Sequence, residues 1–138
     1  MKLRTTTSIV LVLFLGLGLA ACGSGEADVT ATLRDDAITL SDTSLAAGEL
    51  TFEATNDGTL THELEIFGVP EGVDADDLPI EGNVAAADEM LNLIDEVEDV
   101  APGTSATLSV NLDPGPYAAI CNLPGHSEAG MHTTFTVA

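Results

Sequence analysis

Positive charge is almost missing from this chain of 138 residues: three Lys and Arg stand against 23 Asp and Glu, a formal net charge of −20. Lys2 and Arg4 lie at the start, and Arg34 is the only basic residue beyond them. A polyanion repels phosphate backbones, so nucleic acid is excluded as a partner. A cationic partner is favoured, although an acidic surface also serves solubility or adaptation to salt. Cysteine is nearly as scarce. There are two, Cys22 and Cys121, so the chain has neither a CxxC pair nor a disulfide framework. Tryptophan is absent, and there is no Gly-rich phosphate loop. The apolar run "IVLVLFLGLGL" (9–19) is too short to span a bilayer comfortably, and nothing downstream is apolar enough to act as a second span.

That run follows Lys2 and Arg4 and ends in "LAAC" (19–22), the pattern of an export signal over residues 1–21. A small-residue site directly before Cys resembles the lipobox of bacterial lipoproteins. The resemblance implies that Cys22 is lipidated as the first mature residue and that the protein is exported and lipid-anchored on the extracytoplasmic, periplasmic side of the cell membrane. An ordinary secretory signal cut near Ala21 is the alternative. "GSGEAD" (23–28) reads as a flexible tether, giving a 22–28 linker and a domain over 29–138. With Cys22 lipidated, Cys121 has no internal disulfide partner. A lone exported thiol points to pairing between chains, a reactive group or a metal ligand.

Alternation of apolar and polar residues predicts strands over 29–34, 37–40, 50–55, 62–67, 105–112, 117–121 and 131–137. "NDG" (56–58), "APG" (101–103) and "DPGP" (113–116) mark turns. Residues 68–100 are loop-rich at first. "VAAADEMLNLI" (84–94) has helix formers, with Met90 and Ile94 spaced to pack a short helix onto the body, and "DEVEDV" (95–100) has strand character. Short strands separated by turn signals give an all-β fold, an antiparallel sandwich or barrel.

"CNLPGHSEAGMH" (121–132) places Cys121, His126 and Met131 at even steps of five residues. That step does not match a helical period, and Pro124, Gly125 and Gly130 favour a loop. Two adjacent antiparallel strands would hold its ends together, so that the side chains face one hollow. His62 starts another strand on the inward face shared with Leu64 and Ile66. A thiolate, two imidazoles and a weak axial thioether form the ligand set of a blue-copper electron-transfer site. His132 follows Met131 and points to the opposite face, as a surface residue.

On these residues the sequence resembles the cupredoxins, small blue-copper proteins of the plastocyanin and azurin type. "NDGTLTHELEIF" (56–67) resembles the strand with the first His ligand, and "PGTSATLSVNLDPGPYAAICNLPGHSEAGMHTTFTV" (102–137) resembles the last strands and the ligand loop. Residues 68–100 match poorly. The resemblance implies an antiparallel Greek-key β-sandwich and one copper ion per chain, held by His62, Cys121, His126 and Met131. It also implies a non-enzymatic, monomeric one-electron carrier cycling Cu(II)/Cu(I), with His126 exposed in a rim formed by Leu123 and Pro124. Asn122 is expected to pin the thiolate or lock the loop to the His62 strand, while Asn56 and Gly58 serve their turn. The redox partner would be a protein such as a basic c-type cytochrome or a membrane oxidase. The ligand loop is longer than in plastocyanin and nearer to azurin and rusticyanin types. A copper oxidase or nitrite reductase needs a second metal with several more His, and three His in all cannot supply it. A copper-binding or delivery protein without an electron-transfer role uses the same four residues and is the alternative. A purely structural or adhesive module would not need the set.

Overall fold

The computed structural model describes residues 25–138. The signal segment and Cys22 lie outside the described residues. Strands β1 (Val29–Arg34), β2 (Ala37–Leu40), β3 (Ser44–Leu45), β4 (Gly48–Asn56) and β5 (His62–Gly68) come first. The mid-chain segment holds β6 (Ile80–Glu81), β7 (Val84–Ala85), the one-turn helix α1 (Ala87–Met90) and β8 (Asn92–Val100). β9 (Ser105–Leu112), β10 (Gly115–Ile120), the one-turn helix α2 (His126–Ala129) and β11 (His132–Val137) complete the chain.

One sheet has the order β2-β1-β4-β9 and the other β3-β11-β10-β5-β8, with β6-β7 a small separate hairpin. The expected all-β sandwich is present, but it is not purely antiparallel: β1 pairs parallel with β4, and β11 with β3. The β1/β4 pairing matters for function. It runs both strands toward the same end, so the β1–β2 turn (Asp35, Asp36) and the loop after Asn56 emerge side by side, with Asp57 N–H bonded to the Leu33 carbonyl at 2.9 Å.

In the first sheet alternation is clean. Val29, Ala31 and Leu33 in β1, Leu50, Phe52 and Ala54 in β4, and Leu108, Val110 and Leu112 in β9 are buried. They meet Leu64, Ile66, Tyr117, Phe135 and Val137 from the other sheet. Phe135 links the layers, stacking on Tyr117 at 5.5 Å between centroids and tilting against Phe52 at 5.8 Å. Asn56 is fully buried at the end of β4, where its amide donates to the Leu60 and Val100 carbonyls and its Oδ1 accepts from Gly58 N–H, each at 2.8 Å.

The central strands of the second sheet are different. Every residue from His62 to Phe67 in β5 is buried, as are Tyr117 to Ile120 in β10. A sheet covered on both faces produces this pattern. The outer cover is the mid-chain segment, whose Ala75, Ala87 and Leu91 pack on Phe67, Ala118 and Ile120 as a second, smaller core. The helix there is shorter than expected. It stops at Met90 because Leu91 turns to an extended conformation and Asn92–Val100 pairs antiparallel with β5. Met90 and Ile94 therefore form no packing stripe and are 37 % and 43 % exposed.

The cover also buries two carboxylates, Glu63 and Glu65, on the outer face of β5. Glu65 Oε2 has no hydrogen-bond partner among the described residues. Burial, and then the neighbouring Glu63, Asp88 and Glu96, push its pKa from 4.5 up to about 8. A carboxyl that holds its proton more tightly when folded gives stability fully present below pH 4.5 and lost as the pH rises toward 8. Glu65→Gln removes this dependence. In urea titrations of the metal-free domain, the variant should gain on the wild type steadily between pH 5 and pH 8, reaching about 1 kcal/mol or more. A variant-minus-wild-type difference that stays flat with pH contradicts the assignment.

Candidate metal centre

His62 is the first residue of β5, and Cys121 directly follows β10, its neighbour in the sheet. The antiparallel register ends at Ile120 opposite Glu65, which carries Cys121 toward the His62 end of β5. Met131 directly precedes β11. Cys121 N–H donates to the Met131 carbonyl at 3.0 Å and closes the neck of the ligand loop. The loop is not free of helix, as its residue spacing suggested. Residues His126–Ala129 make one turn between Gly125 (φ 85°) and Gly130 (φ 115°), and Met131 N–H bonds the His126 carbonyl at 3.0 Å. Two glycines in left-handed conformations bound the turn, so a period read along the whole loop does not apply. Gly130 is also a point of close approach, since a Cβ there would lie 2.6 Å from the Asp36 carbonyl oxygen.

These constraints bring His62, Cys121 and His126 together. Their donor atoms lie within 4.8 Å of one another. His62 Nδ1 is 3.1 Å from His126 Nδ1, and Cys121 Sγ is 3.3 Å from His126 Nδ1 and 4.0 Å from His62 Nδ1. Met131 is fully buried in the same packed cluster as Cys121. His132, expected at the surface, is half-buried instead, with Nδ1 3.2 Å from the Ser127 carbonyl.

The donor set fits a single small metal ion. Bonds of about 2.0–2.3 Å to imidazole nitrogen and thiolate, opened to trigonal angles, place the donors roughly 3.5–4 Å apart. The observed separations of 3.1, 3.3 and 4.0 Å bracket that value. Burial pushes the Cys121 thiol up to about 11, against the bond it receives from Glu63 N–H at 3.5 Å. A buried thiolate needs a cation beside it, and a metal ion among the three donors is such a cation. His126 is held below its ordinary pKa, first by burial and then by the facing His62. With Cys, two His and a buried Met, the cluster fits a single type 1 copper site.

Residues outside this set hold it in place, and sequence pattern pointed to few of them. Asn122 was expected to act on the thiolate or the His62 strand. Its side chain instead clasps the mid-chain segment, with Oδ1 accepting from Ala85 N–H at 2.8 Å and Nδ2 donating to the Ala85 carbonyl at 3.1 Å. Its backbone N–H reaches the His62 strand through Glu63 Oε1 at 2.9 Å. Gly125 N–H bonds the Asn83 carbonyl at 2.6 Å in the β6–β7 turn. The segment with the poorest family likeness therefore anchors the ligand loop. Asp35 is a further addition: its Oδ1 lies 2.9 Å from His62 Nε2. It is 27 positions earlier, in a hairpin turn, and no local pattern marks it.

The solvent-facing side matches the expected rim in part. His126 and Leu123 are half-buried, Pro124 is exposed, and Leu60 is 50 % exposed. Leu123 packs against the main core.

No family model matches the sequence, and no curated protein sequence matches it. Solved structures do. A dithionite-reduced auracyanin from the photosynthetic bacterium Roseiflexus castenholzii is 22 % identical, with a TM-score of 0.53 over 82 % of this chain and 99 % of that one. Auracyanin A of Chloroflexus aurantiacus, described as a "blue" copper protein, is 18 % identical, with a TM-score of 0.53 over 79 % and 99 %. Rusticyanin from Thiobacillus ferrooxidans is 15 % identical, with a TM-score of 0.54 over 80 % and 75 %. At such identities the likeness speaks to the backbone, and in its backbone this chain has the cupredoxin fold.

Proposed function

We propose that this protein is a one-electron carrier that holds a single copper ion with His62, Cys121, His126 and Met131. The observation that carries the reading is the convergence of three donors from separate parts of the chain to mutual distances of 3.1, 3.3 and 4.0 Å. Copper bound there supplies the Cu(II)/Cu(I) couple. The protein fixes the donors before the metal arrives: His62 by its strand and Asp35, Cys121 by the Met131 carbonyl and Glu63 N–H, His126 by its capped turn. Donors fixed this firmly move little when the charge changes, which favours rapid transfer. Of the four residues, only His126 is not fully buried, so it is the contact point for an electron partner.

The same burial weighs against a delivery protein. His62, Cys121 and Met131 have no exposed surface, and handing the ion to an acceptor would require the ligand loop to open. The acidic composition suits a basic partner such as a c-type cytochrome. We place the domain outside the cytoplasm, tethered through Cys22, on the strength of the leader pattern alone.

Copper-loaded mature domain should show an intense absorption band toward the red end of the visible range. Cys121→Ser should abolish it, and an intact band in that variant would refute the site. Met131→Leu should keep the band and raise the reduction potential, with at least a tenfold shift in the reduced-to-oxidised ratio, about 59 mV for one electron. Stopped-flow electron exchange with a basic c-type cytochrome should slow about tenfold or more between low and high salt. Exchange that ignores salt would disconnect the acidic surface from partner choice.

A further inference from the structure

The hairpin turn of β1–β2 reaches the metal-binding end and places a carboxylate on the far nitrogen of His62. Asp35 Oδ1 lies 2.9 Å from His62 Nε2, and the imidazole is fully buried. The carboxylate is not a loose surface group. Its Oδ1 also accepts from Thr59 N–H at 2.9 Å and Leu60 N–H at 3.2 Å. Its Oδ2 accepts from the Thr59 hydroxyl at 2.6 Å and Thr59 N–H at 3.1 Å. Thr59 and Leu60 belong to the loop that leads into His62, so the loop grips the carboxylate and the carboxylate grips the ring. Both oxygens of Asp35 are taken up by N–H and O–H donors, so the group acts as an acceptor.

Gly58 makes the arrangement possible. A Cβ built there would stand 2.3 Å from Asp35 Oδ1 and 2.7 Å from His62 Nε2. Any side chain at 58 would occupy the space where the two groups meet. The glycine is needed for this close approach, whereas the turn itself is secured by Asn56 Oδ1 on Gly58 N–H.

We propose that Asp35 is a positioning residue that fixes His62 as the Nε2–H tautomer, aims its Nδ1 lone pair at Cys121 and His126, and biases the bound metal toward its higher oxidation state. An ionised carboxylate only accepts hydrogen bonds, so the proton must sit on Nε2 and Nδ1 is left free to ligate. A carboxylate behind a ligating imidazole raises the basicity of the donor nitrogen and orients the ring. Its fixed negative charge favours Cu(II) over Cu(I). The last point rests on the copper reading given above; the tautomer does not.

Asp35→Asn is close to isosteric and removes the charge. Asp36→Asn makes the same charge change on the adjacent, exposed residue, which does not bond His62. Mature domain of each is loaded with copper, and Cu(II) affinity, Cu(I) affinity and potential are measured. Asp35→Asn should keep the visible band, bind Cu(II) about 10- to 100-fold more weakly, lose less affinity for Cu(I), and raise the potential. Asp36→Asn should leave all of these near wild type. Equal values for the two variants would overturn the proposal, as would a loss of urea stability at Asp35→Asn with no change in potential. Nitrogen NMR of the metal-free wild type gives a separate test that needs neither copper nor a variant. His62 should appear as the Nε2–H tautomer with that proton protected from exchange, and an Nδ1–H tautomer would overturn the proposal. If wild-type protein shows no copper band, the electron-carrier reading fails while the tautomer still decides the role of Asp35.

Discussion

The metal-binding end of this molecule depends on burying one imidazole with both nitrogens in use. A ring nitrogen taken out of water without a partner costs free energy, and His62 has no exposed surface. One nitrogen is met by Asp35, and the other faces Cys121 and His126. The arrangement follows from topology. Parallel pairing of β1 with β4 delivers the Asp35 turn beside the loop that enters β5. The turn carries Asp35 onto the loop that leads into His62, and its backbone passes close to Gly130.

The mid-chain segment answers two demands at once. β5 and β10 carry apolar residues on their outer faces, and Phe67, Ala118 and Ile120 would be wet without a cover. The cover then provides Ala85 and Asn83 as anchors for Asn122 and Gly125, on either side of the half-buried Leu123. Hydrophobic burial thus supplies rigidity to the ligand loop. The arrangement has a cost in charge. Glu63 and Glu65 are enclosed by the same cover, and burial raises the pKa of both. Glu63 gains a use, since its backbone N–H meets Cys121 Sγ and its carboxylate accepts from Asn122 N–H. Glu65 has no such contact, and its burial detracts from stability.

The sandwich was legible in the sequence because its strands obey a period of two, which depends only on each strand having one wet face. This held for β1, β4 and β9, with Val29, Phe52 and Leu108 all inward. The convergence of His62, Cys121 and His126 was legible because strand ends and a short loop restrict where those side chains can go. Alternation puts Glu63 and Glu65 on the face of β5 opposite His62, Leu64 and Ile66, but it says nothing of a second cover over that face. The helix over 84–94 was overextended because Asn92–Ile94 join the strand that runs on to Val100 and take ladder bonds with β5, a tertiary preference over the local helix pattern. Asp35 was invisible because its partner lies across the sandwich end, and an Asp in a hairpin turn already has a local explanation.

Two opposing electrostatic effects meet at the proposed copper. Enclosure of His62, Cys121 and Met131 removes water and favours the state with less net charge, which for a thiolate-bound ion is Cu(I). The Asp35 carboxylate, held in place by Thr59 and Leu60, favours the state with more positive charge, Cu(II). Asp35 is still partly open to solvent, with 35 % of its side-chain surface exposed, so its field is damped but not lost. A diffuse acidic surface would act on the metal only through a screening solvent, whereas this single carboxylate acts through a hydrogen bond to a ligand. This carboxylate and the depth of burial thus act on the site in opposite senses, leaving the rest of the negative charge free to serve encounter and solubility.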